Sequence, residues 1–379
     1  MARKKLNGDG SIYQRSSDGR WIGAISIGFN ESGQPVRKTV SAKTAEAVRL
    51  KMREVQRQVD DGLPPPDDRM TIKQILQRWE SDVLRHQVAT AAFDNYKSIA
   101  DHHIVPILGR KRVTKLTPAD VDALISTKLD AGLSVSTVRR IRAILSQVLD
   151  QAFRWGVVGR NVVTMTKGPK GTRTEGRTLT PAQAKRLLVT AHGDRLETLY
   201  VTMLYTGIRP GEALGLTWAD VDLPSAVLRV SRSLKREGTK LVLGEVKTAR
   251  SRRSVNLATP VTKSLRLHKK RQAKERRVAG SSWTDLDLVF ANEVGTPIDP
   301  SNLRRDFKAV SNRAGLGHWH PHELRHSAIS LMLGQGVPLE VVADVVGHSS
   351  IRMTADVYAH NRPPQRKAAA EAMATALGS

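Results

Sequence analysis

The chain has 379 residues, no cysteine, and 61 Lys and Arg against 36 Asp and Glu, which gives a net charge of +25. The lack of cysteine excludes disulfide frameworks and thiolate metal sites and favours a reducing compartment. No apolar run is long enough to cross a membrane, and the basic start MARKKLNGDGS lacks the apolar core of a secretory signal. We therefore expect two or three domains and a polyanionic partner, with nucleic acid as the best candidate.

Residues 1–66 are predicted to form a small ββ(β)α unit that ends at a proline-rich linker over 62–68. The expected elements are strands at 12–13, 21–28 and 36–40, a turn over 30–33 and a helix over 44–61. A sheet face of this kind can lie in a DNA groove, and a solvated face on an accessory domain is the alternative. The basic residues predicted to contact DNA are Arg15, Arg20, Arg37, Lys38 and Lys43.

Residues 69–171 are predicted to be helical throughout, with a flexible basic linker beginning at residue 167. Helices are expected to begin at Thr71, Thr90, Thr117 and Ser136. The last of these helices carries arginines that are predicted to face DNA: Arg139, Arg140 and Arg142. The alternative is an ordinary helical unit with a charged solvent face.

Residues 175–379 are predicted to begin with helices from Thr180 and over 196–205. Arg209 follows at a helix junction, where free backbone N–H groups favour an anion, and Glu212 is one turn further on and can orient its guanidinium. Alternating residues predict antiparallel strands over 226–234, 241–247 and 253–257. Lys247 ends the second strand and Arg250 lies in the turn after it; such cations are usually phosphate contacts.

The stretch from His320 to His360 predicts three short helices. They are expected over 321–335 with Gly336 as the cap, from Pro338 to Gly347, and after Ser349-Ser350. His322 and Arg325 are three residues apart and share one helix face. His348 lies on the turn after the second helix, and the third helix carries Tyr358.

Two chemistries compete for this stretch. Residues 322–326 read H-E-L-R-H, which matches the zinc motif H-E-x-x-H with Glu323 as the base. The extended zinc form needs Gly and His where Ile329 and Met332 stand, and Arg325 would place a fixed cation beside the metal. The other chemistry uses that cation, because a guanidinium binds phosphate oxygens, an imidazole moves a proton and a phenol attacks phosphorus.

Five sequence blocks, taken in order, resemble the tyrosine recombinases. They are T-G-I-R-P-G-E at 206–212, V-K-T at 246–248, H-E-L-R-H at 322–326, G-H at 347–348 and T-A-D-V-Y at 354–358. The three-part layout is similar to the phage and integrative-element integrases of that family. Val162 stands where relatives often have proline after the asparagine, and Ser327 stands where threonine is common.

The resemblance implies an α+β multidomain fold. Its parts would be a small ββ(β)α arm-type DNA-binding domain (1–66), an all-α, SAM-like core-binding domain (69–171) and a mostly α catalytic domain with a small antiparallel sheet (175–379). It also implies an integrase that integrates or excises a mobile element or phage genome, with no metal or other cofactor, in the bacterial cytoplasm at the nucleoid. The implied partners are double-stranded DNA attachment sites, a homotetramer assembled on DNA, and accessory DNA-bending or directionality proteins.

The resemblance also implies a role for each matched residue. Arg209 and Arg325 would clamp the scissile phosphate, and Glu212 would position Arg209. Lys247 would be the general acid, His322 and His348 would support proton transfer and phosphate contacts, and Tyr358 would be the nucleophile. Two alternatives stay open. A type IB topoisomerase would use the same chemistry without pairing two sites, and a non-catalytic regulator would use residues 338–358 as a helix-turn-helix.

Overall fold

The computed structural model describes residues 10–29, 33–60, 69–171, 176–246, 251–348, 350 and 355. The chain divides into two compact units, residues 1–172 and 173–379. Both combine helices with small antiparallel sheets, which confirms the predicted α+β class. No helix in the described ranges is long and apolar enough to span a membrane.

The first unit opens with a three-stranded antiparallel sheet and one helix. The elements are β1 (Ser11–Gln14), β2 (Trp21–Phe29), β3 (Pro35–Ala42) and α1 (Ala45–Asp60). Thr44 caps α1 as predicted, because its Oγ1 accepts from the backbone N–H of Ala47 at 3.2 Å. Ile25 of β2 and Val48 and Met52 of α1 are buried in one small apolar cluster. The turn predicted over 30–33 lies mostly outside the described residues.

The rest of the first unit is helical, as predicted. Its helices are α2 (Ile72–Trp79), α3 (Arg85–Gln87), α4 (Thr90–Ile99), α5 (Val105–Leu108), α6 (Pro118–Asp130) and α7 (Val135–Arg154). Thr71 and Thr117 cap α2 and α6 with their side chains, as expected from the sequence. The start expected at Ser136 is wrong by two residues, since Ser134 Oγ is the atom that accepts from the Thr137 N–H at 3.2 Å.

The second unit surrounds one buried helix. Its helices are α8 (Pro181–Thr190), α9 (Glu197–Thr206), α10 (Pro210–Leu214), α11 (Thr259–Ala279), α12 (Pro300–Arg313), α13 (Pro321–Gly334) and α14 (Leu339–Val346). Its strands are β4 (Val221–Asp222), β5 (Val227–Val230), β6 (Arg232–Glu237), β7 (Lys240–Glu245) and β8 (Arg253–Asn256). Helix α9 is buried almost all round and packs against both α11 and α13, as expected of a helix with apolar residues on every side.

The prediction of one strand over 226–234 is wrong, because this stretch forms two strands in two sheets. Strand β5 pairs with β4 and β8, whereas β6 pairs only with β7. The break falls at Ser231, whose hydroxyl donates to Asp220 Oδ1 at 2.8 Å. Beyond it β6 lies against α10, where a Cβ on Gly215 would come within 2.9 Å of the Leu234 nitrogen. Gly211 in α10 and Gly215 just after it therefore allow β6 to approach closely.

Candidate active site

Arg209 lies where α9 gives way to α10. Gly207 ends α9 with a left-handed φ of 64°, and Arg209 is the N-cap residue of α10. Arg209 Nη1 donates to Glu212 Oε1 at 2.6 Å, and its backbone N–H donates to Glu212 Oε2 at 3.0 Å. Arg209 Nη2 donates to the carbonyl oxygen of Gly347 at 3.2 Å. The expected contact with Glu212 is present, and it fixes the direction of the guanidinium.

Glu212 remains ionised although it is buried. Its side chain is 3% exposed. Burial alone would raise the pKa of its carboxyl, but the charge of Arg253 and the hydrogen bonds from Arg253 and Arg209 bring the pKa below its ordinary value. The carboxylate therefore holds two guanidinium groups at once.

Arg253 was not among the predicted site residues. It belongs to β8 and donates from Nη2 to Glu212 Oε2 at 3.0 Å and from Nε to the Val345 carbonyl oxygen at 2.7 Å. The alternation of residues in the strand indicates that Arg253 is buried, because it lies on the same strand face as Val255 and Leu257, which are both buried. A charged residue on an apolar strand face is expected to have a buried partner.

Arg325 is the most deeply buried cation of the site, with 1% of its surface exposed. Its Nη1 donates to the carbonyl oxygens of Gly207 at 2.7 Å and Val346 at 2.6 Å, so it joins the ends of α9 and α14. Its Nη2 is buried and has no hydrogen-bond partner among the described residues. Burial, followed by the positive charge of Arg209, lowers the pKa of Arg325 to about 9, and Glu212 partly opposes this. A buried cation with an unused donor is suited to receive an anion.

Three histidines lie around these cations. Burial and then the charge of Arg325 lower the pKa of His348 to about 4. The pKa of His322 is lowered to about 4, first by desolvation and then by its neighbours His326, Arg325 and Arg209. Because the His322 side chain is exposed, water screens these effects, and only the direction of its shift bears on the chemistry. Both imidazoles are therefore neutral at neutral pH and each retains one N–H donor.

Glu323 has a structural role that does not fit a zinc base. Its carboxylate accepts from the backbone N–H of His320 at 2.7 Å and from Arg177 Nε at 2.9 Å, so it caps α13 and is part of an ion pair. The rings of His322 and His326 are 5.1 Å apart at their centroids. Within the described ranges, no three His, Asp or Glu side chains are placed so that they could hold a metal ion.

Several predicted site residues lie outside the described part of the chain. They are Lys247, Arg250 and Tyr358, together with most of the predicted third helix. The structure therefore brings together Arg209, Glu212, Arg325 and the histidines, and the positions of the other three stay predictions.

The basic residues predicted to contact DNA differ in how far their side chains are already engaged. Arg15 pairs with Asp18, and Arg139 donates to the carbonyl oxygens of Pro169 and Gly171. Arg142 is half-buried and donates to the carbonyl oxygens of residues 163 and 166, which makes it a support of that loop. The exposed members of the set are Arg15, Arg20, Arg37, Lys43, Arg139 and Arg140. DNA contact by any member of the set stays a prediction.

Comparison with known proteins bears on this arrangement. The phage integrase family model matches residues 177–364, and the N-terminal SAM-like domain of phage integrases matches residues 71–129. An integrase of Streptomyces ambofaciens is 32% identical over 371 residues, covering 94% of each chain. A tyrosine recombinase XerC-like protein of Caldanaerobacter subterraneus subsp. tengcongensis is 28% identical, covering 92% of this chain and 94% of that protein.

Solved structures share the fold. The Tn1549 transposon integrase in complex with transposon right end DNA superposes with a TM-score of 0.69 at 20% identity, covering 80% of this chain and all of that one. A lambda integrase tetramer bound to a Holliday junction gives a TM-score of 0.58 at 18% identity, covering 93% and 96% of the two chains. The described part of the chain therefore shares the fold of these structures, and the two relatives named above match over almost their whole length. This chain belongs to the phage integrase family of tyrosine recombinases.

Proposed function

We propose that this protein is a site-specific DNA recombinase that cuts and rejoins DNA strands through a 3′-phosphotyrosine, integrating or excising a mobile element or phage genome. The observation that carries the proposal is the buried Arg325 guanidinium, whose Nη2 has no partner among the described residues and lies near the Arg209–Glu212 pair. A second cation lowers its pKa, so an anion placed between the two would relieve their repulsion. A phosphodiester carries one negative charge and two free oxygens, which suits two guanidinium groups.

The two arginines would act mainly on the transition state. Attack on phosphorus adds negative charge to its equatorial oxygens, and preorganised donors in a buried site stabilise that charge without reorganising. Removing one such donor typically costs about 10²- to 10³-fold in rate. The neutral imidazoles of His322 and His348 would add N–H donors to the same oxygens without adding to the repulsion between the cations.

Tyr358 would supply the nucleophile. A free phenol has a pKa of about 10, so nearby cations would favour its deprotonated form. The phenolate oxygen would bond to phosphorus as the bond to the 5′-oxygen breaks, and Lys247 would protonate that departing oxygen. A 5′-hydroxyl of a partner strand would then attack the phosphotyrosine and release the phenol. The phosphotyrosine ester keeps the energy of the cleaved phosphodiester bond, so we expect the cycle to require no nucleotide and no metal.

The remaining parts of the chain would place DNA around this site. Residues 1–66 and 69–171 contain separate apolar clusters, which supports their division into an arm-type domain and a core-binding domain before the catalytic domain at 175–379. The net charge of +25 supports wrapping around a duplex. Two duplexes contain four strands to exchange, so four active sites would be needed, in line with the lambda integrase tetramer. We place the reaction on nucleoid DNA in the bacterial cytoplasm, with DNA-bending or directionality proteins as partners.

A covalent capture assay on randomised DNA tests the proposal and also identifies the sequence that the protein cleaves. The full chain is incubated in excess chelator with duplexes of randomised sequence that carry a nick, so that the short 5′-hydroxyl strand diffuses away after cleavage. Covalent complexes are isolated under denaturing conditions, and their DNA is sequenced to define a captured duplex. We expect capture of one sequence class by the wild type and none by Tyr358→Phe. Absence of any adduct with the wild type, or equal capture by Tyr358→Phe, would contradict the proposal.

A further inference from the structure

Arg253 has a buried side chain, of which 7% is exposed, and it contacts two parts of the candidate active site. These are the Arg209–Glu212 pair and the last turn of α14. Its Nη2 donates to Glu212 Oε2 at 3.0 Å, and Glu212 in turn orients Arg209. Its Nε donates to the Val345 carbonyl oxygen at 2.7 Å, in the last turn of α14. Its Nη1 donates to the Ser251 carbonyl oxygen at 3.2 Å. All three nitrogens are therefore in use inside the protein.

The contact with Glu212 ties that carboxylate to β8. Oε1 accepts from Arg209 Nη1, while Oε2 accepts from both the Arg209 backbone and Arg253. Both bonds from Arg209 move with Arg209 itself, so among the described residues Arg253 is the partner that fixes the carboxylate relative to a second element, β8. The direction of the Arg209 guanidinium thus depends on a residue that lies 44 positions further along the chain.

The contact with Val345 acts on the end of α14. Helix α14 ends at Gly347, whose φ of 68° turns the chain toward His348. A Cβ at Gly347 would meet Arg253 Nη1 at 2.9 Å and Cδ at 3.0 Å, so the arginine packs directly beneath this turn. The Gly347 carbonyl oxygen also accepts from Arg209 Nη2. Arg253 therefore supports both the turn that presents His348 and the guanidinium that bonds to the turn.

We propose that Arg253 is a positioning residue for DNA cleavage, which fixes Arg209 through Glu212 and fixes the His348 turn through Val345. The inference rests on the proposed recombinase function. Arg253 differs from Arg325 in that each of its three nitrogens has a partner within the protein, whereas Arg325 Nη2 has none among the described residues. The charge of Arg253 also adds to the positive field of the site. The pKa of Arg325 is lowered by burial, then by Arg209, and to a smaller extent by Arg253. The pKa of His348 is lowered by burial, then by Arg325, Arg209 and His326, and to a smaller extent by Arg253.

The test measures single-turnover cleavage of the captured duplex at saturating protein, together with DNA affinity and thermal stability of the full chain. Arg253→Met removes the charge and all three donors, Arg253→Lys keeps the charge with a single nitrogen, and Glu212→Gln tests the shared partner. Arg271→Met is the control, because Arg271 also bonds a loop carbonyl, that of Arg195, but at the opposite end of α9 from Gly207. All rates are measured well below the melting temperature of each variant.

We expect Arg253→Met to cleave about 100-fold more slowly, the usual cost of a displacement on the order of 1 Å at a reacting centre, with DNA affinity within about threefold of the wild type. Arg253→Lys should recover part of this loss, and Arg271→Met should cleave at the wild-type rate even if it melts earlier. The double variant Arg253→Met/Glu212→Gln should be no slower than the slower single variant, because the two act as one unit.

Three results would overturn the inference: wild-type cleavage by folded Arg253→Met, losses for Arg253 and Glu212 that multiply in the double variant, or an equal loss in Arg271→Met. If Arg253→Met does not fold, Arg253→Lys decides the matter, since an unchanged rate in that variant refutes positioning by the fork. Adduct formation by the wild type in the same assay keeps the proposed function separate. If the wild type forms no adduct, the proposed function fails; if it does and the variants match it, only the inference fails.

Discussion

Replacing Arg325 with methionine should slow cleavage at least about 10²-fold while leaving the fold nearly as stable as the wild type. The guanidinium is 1% exposed and carries its charge at a cost, because its pKa falls from the ordinary 12.5 to about 9. A shift of this size corresponds to a penalty on the order of 5 kcal/mol for the charged form at neutral pH. Its hydrogen bonds to the carbonyl oxygens of Gly207 and Val346 offset this by about 1.5–3 kcal/mol each.

The two contributions nearly cancel, so we expect Arg325→Met to change the free energy of unfolding by less than about 2 kcal/mol. Cleavage should fall by at least about 10²-fold, because the variant cannot contact the phosphate. Sulfate stabilises folded proteins in general, but because it has the shape and charge of a phosphate group it should stabilise the wild type more than the variant, relative to chloride at equal ionic strength.

Urea denaturation of both proteins in chloride and in sulfate, together with the covalent capture assay, measures these quantities. A loss of stability above about 4 kcal/mol in Arg325→Met would mean that the guanidinium is mainly a structural link between the ends of α9 and α14, since its two hydrogen bonds would then outweigh the cost of burying its charge. Equal stabilisation of both proteins by sulfate would also refute the reasoning, because only the general effect of the salt would then be seen and no binding at Arg325.

Four further outcomes are expected. In the folded protein His348 has a pKa of about 4 against an ordinary 6.5, so the folded state binds fewer protons than the unfolded chain between these pH values. The free energy of unfolding should therefore decrease as the pH falls from 6.5 toward 4, and urea denaturation at several pH values should show a smaller decrease in His348→Asn. Gly207→Ala should slow cleavage and lower stability, because its φ is 64° and the new Cβ would lie 2.8 Å from a methyl group of Val346. Gly336→Ala, with φ of 82° and nothing within 4 Å of the new Cβ, should lose stability through backbone strain alone, and melting curves and cleavage rates compare the two variants. Lys247→Ala should be slower by about 10²- to 10⁴-fold and should recover on DNA with sulfur at the 5′-bridging position, where the leaving group needs no proton, and unchanged slowness on that substrate would make Lys247 a phosphate contact. Deletion of residues 1–66 should reduce the salt dependence of binding to full-length sites but not to the captured core duplex, and an equal slope on the full-length sites would show that this region is not an arm binder.

The sequence predicted the parts of the site that depend on neighbouring residues. Arg209 and Glu212 are three residues apart, a spacing that a helix start brings together, and their bond is present in the structure. Thr71, Thr117 and Thr180 were expected to begin helices, and each caps one with its own side chain. In these cases the information is local, so spacing and residue type were sufficient.

The features that the sequence did not reveal depend on contacts between distant segments. Arg253 meets Val345 across 92 positions, and Arg177 meets Glu323 across 146, separations that a period of two or 3.6 cannot report. The split at Ser231 is of the same kind, because beyond it β6 lies against Gly211 and Gly215 and not beside β4 or β8. A single sequence specifies that Arg253 will be buried, but only the fold specifies what it contacts.

The most direct measurement is mass spectrometry of the residue that becomes joined to DNA. After cleavage of the captured duplex, the complex is digested with nuclease and trypsin, and the modified peptide is sequenced. The peptide 353–366, MTADVYAHNRPPQR, contains a single tyrosine, Tyr358, so a nucleotide attached through a 3′-phosphate can be assigned without ambiguity. We expect that linkage on Tyr358 in the wild type, formed in the presence of excess chelator. A linkage to any other residue, a 5′-phosphate linkage, or strand cleavage with no protein attached would contradict a tyrosine-based recombinase.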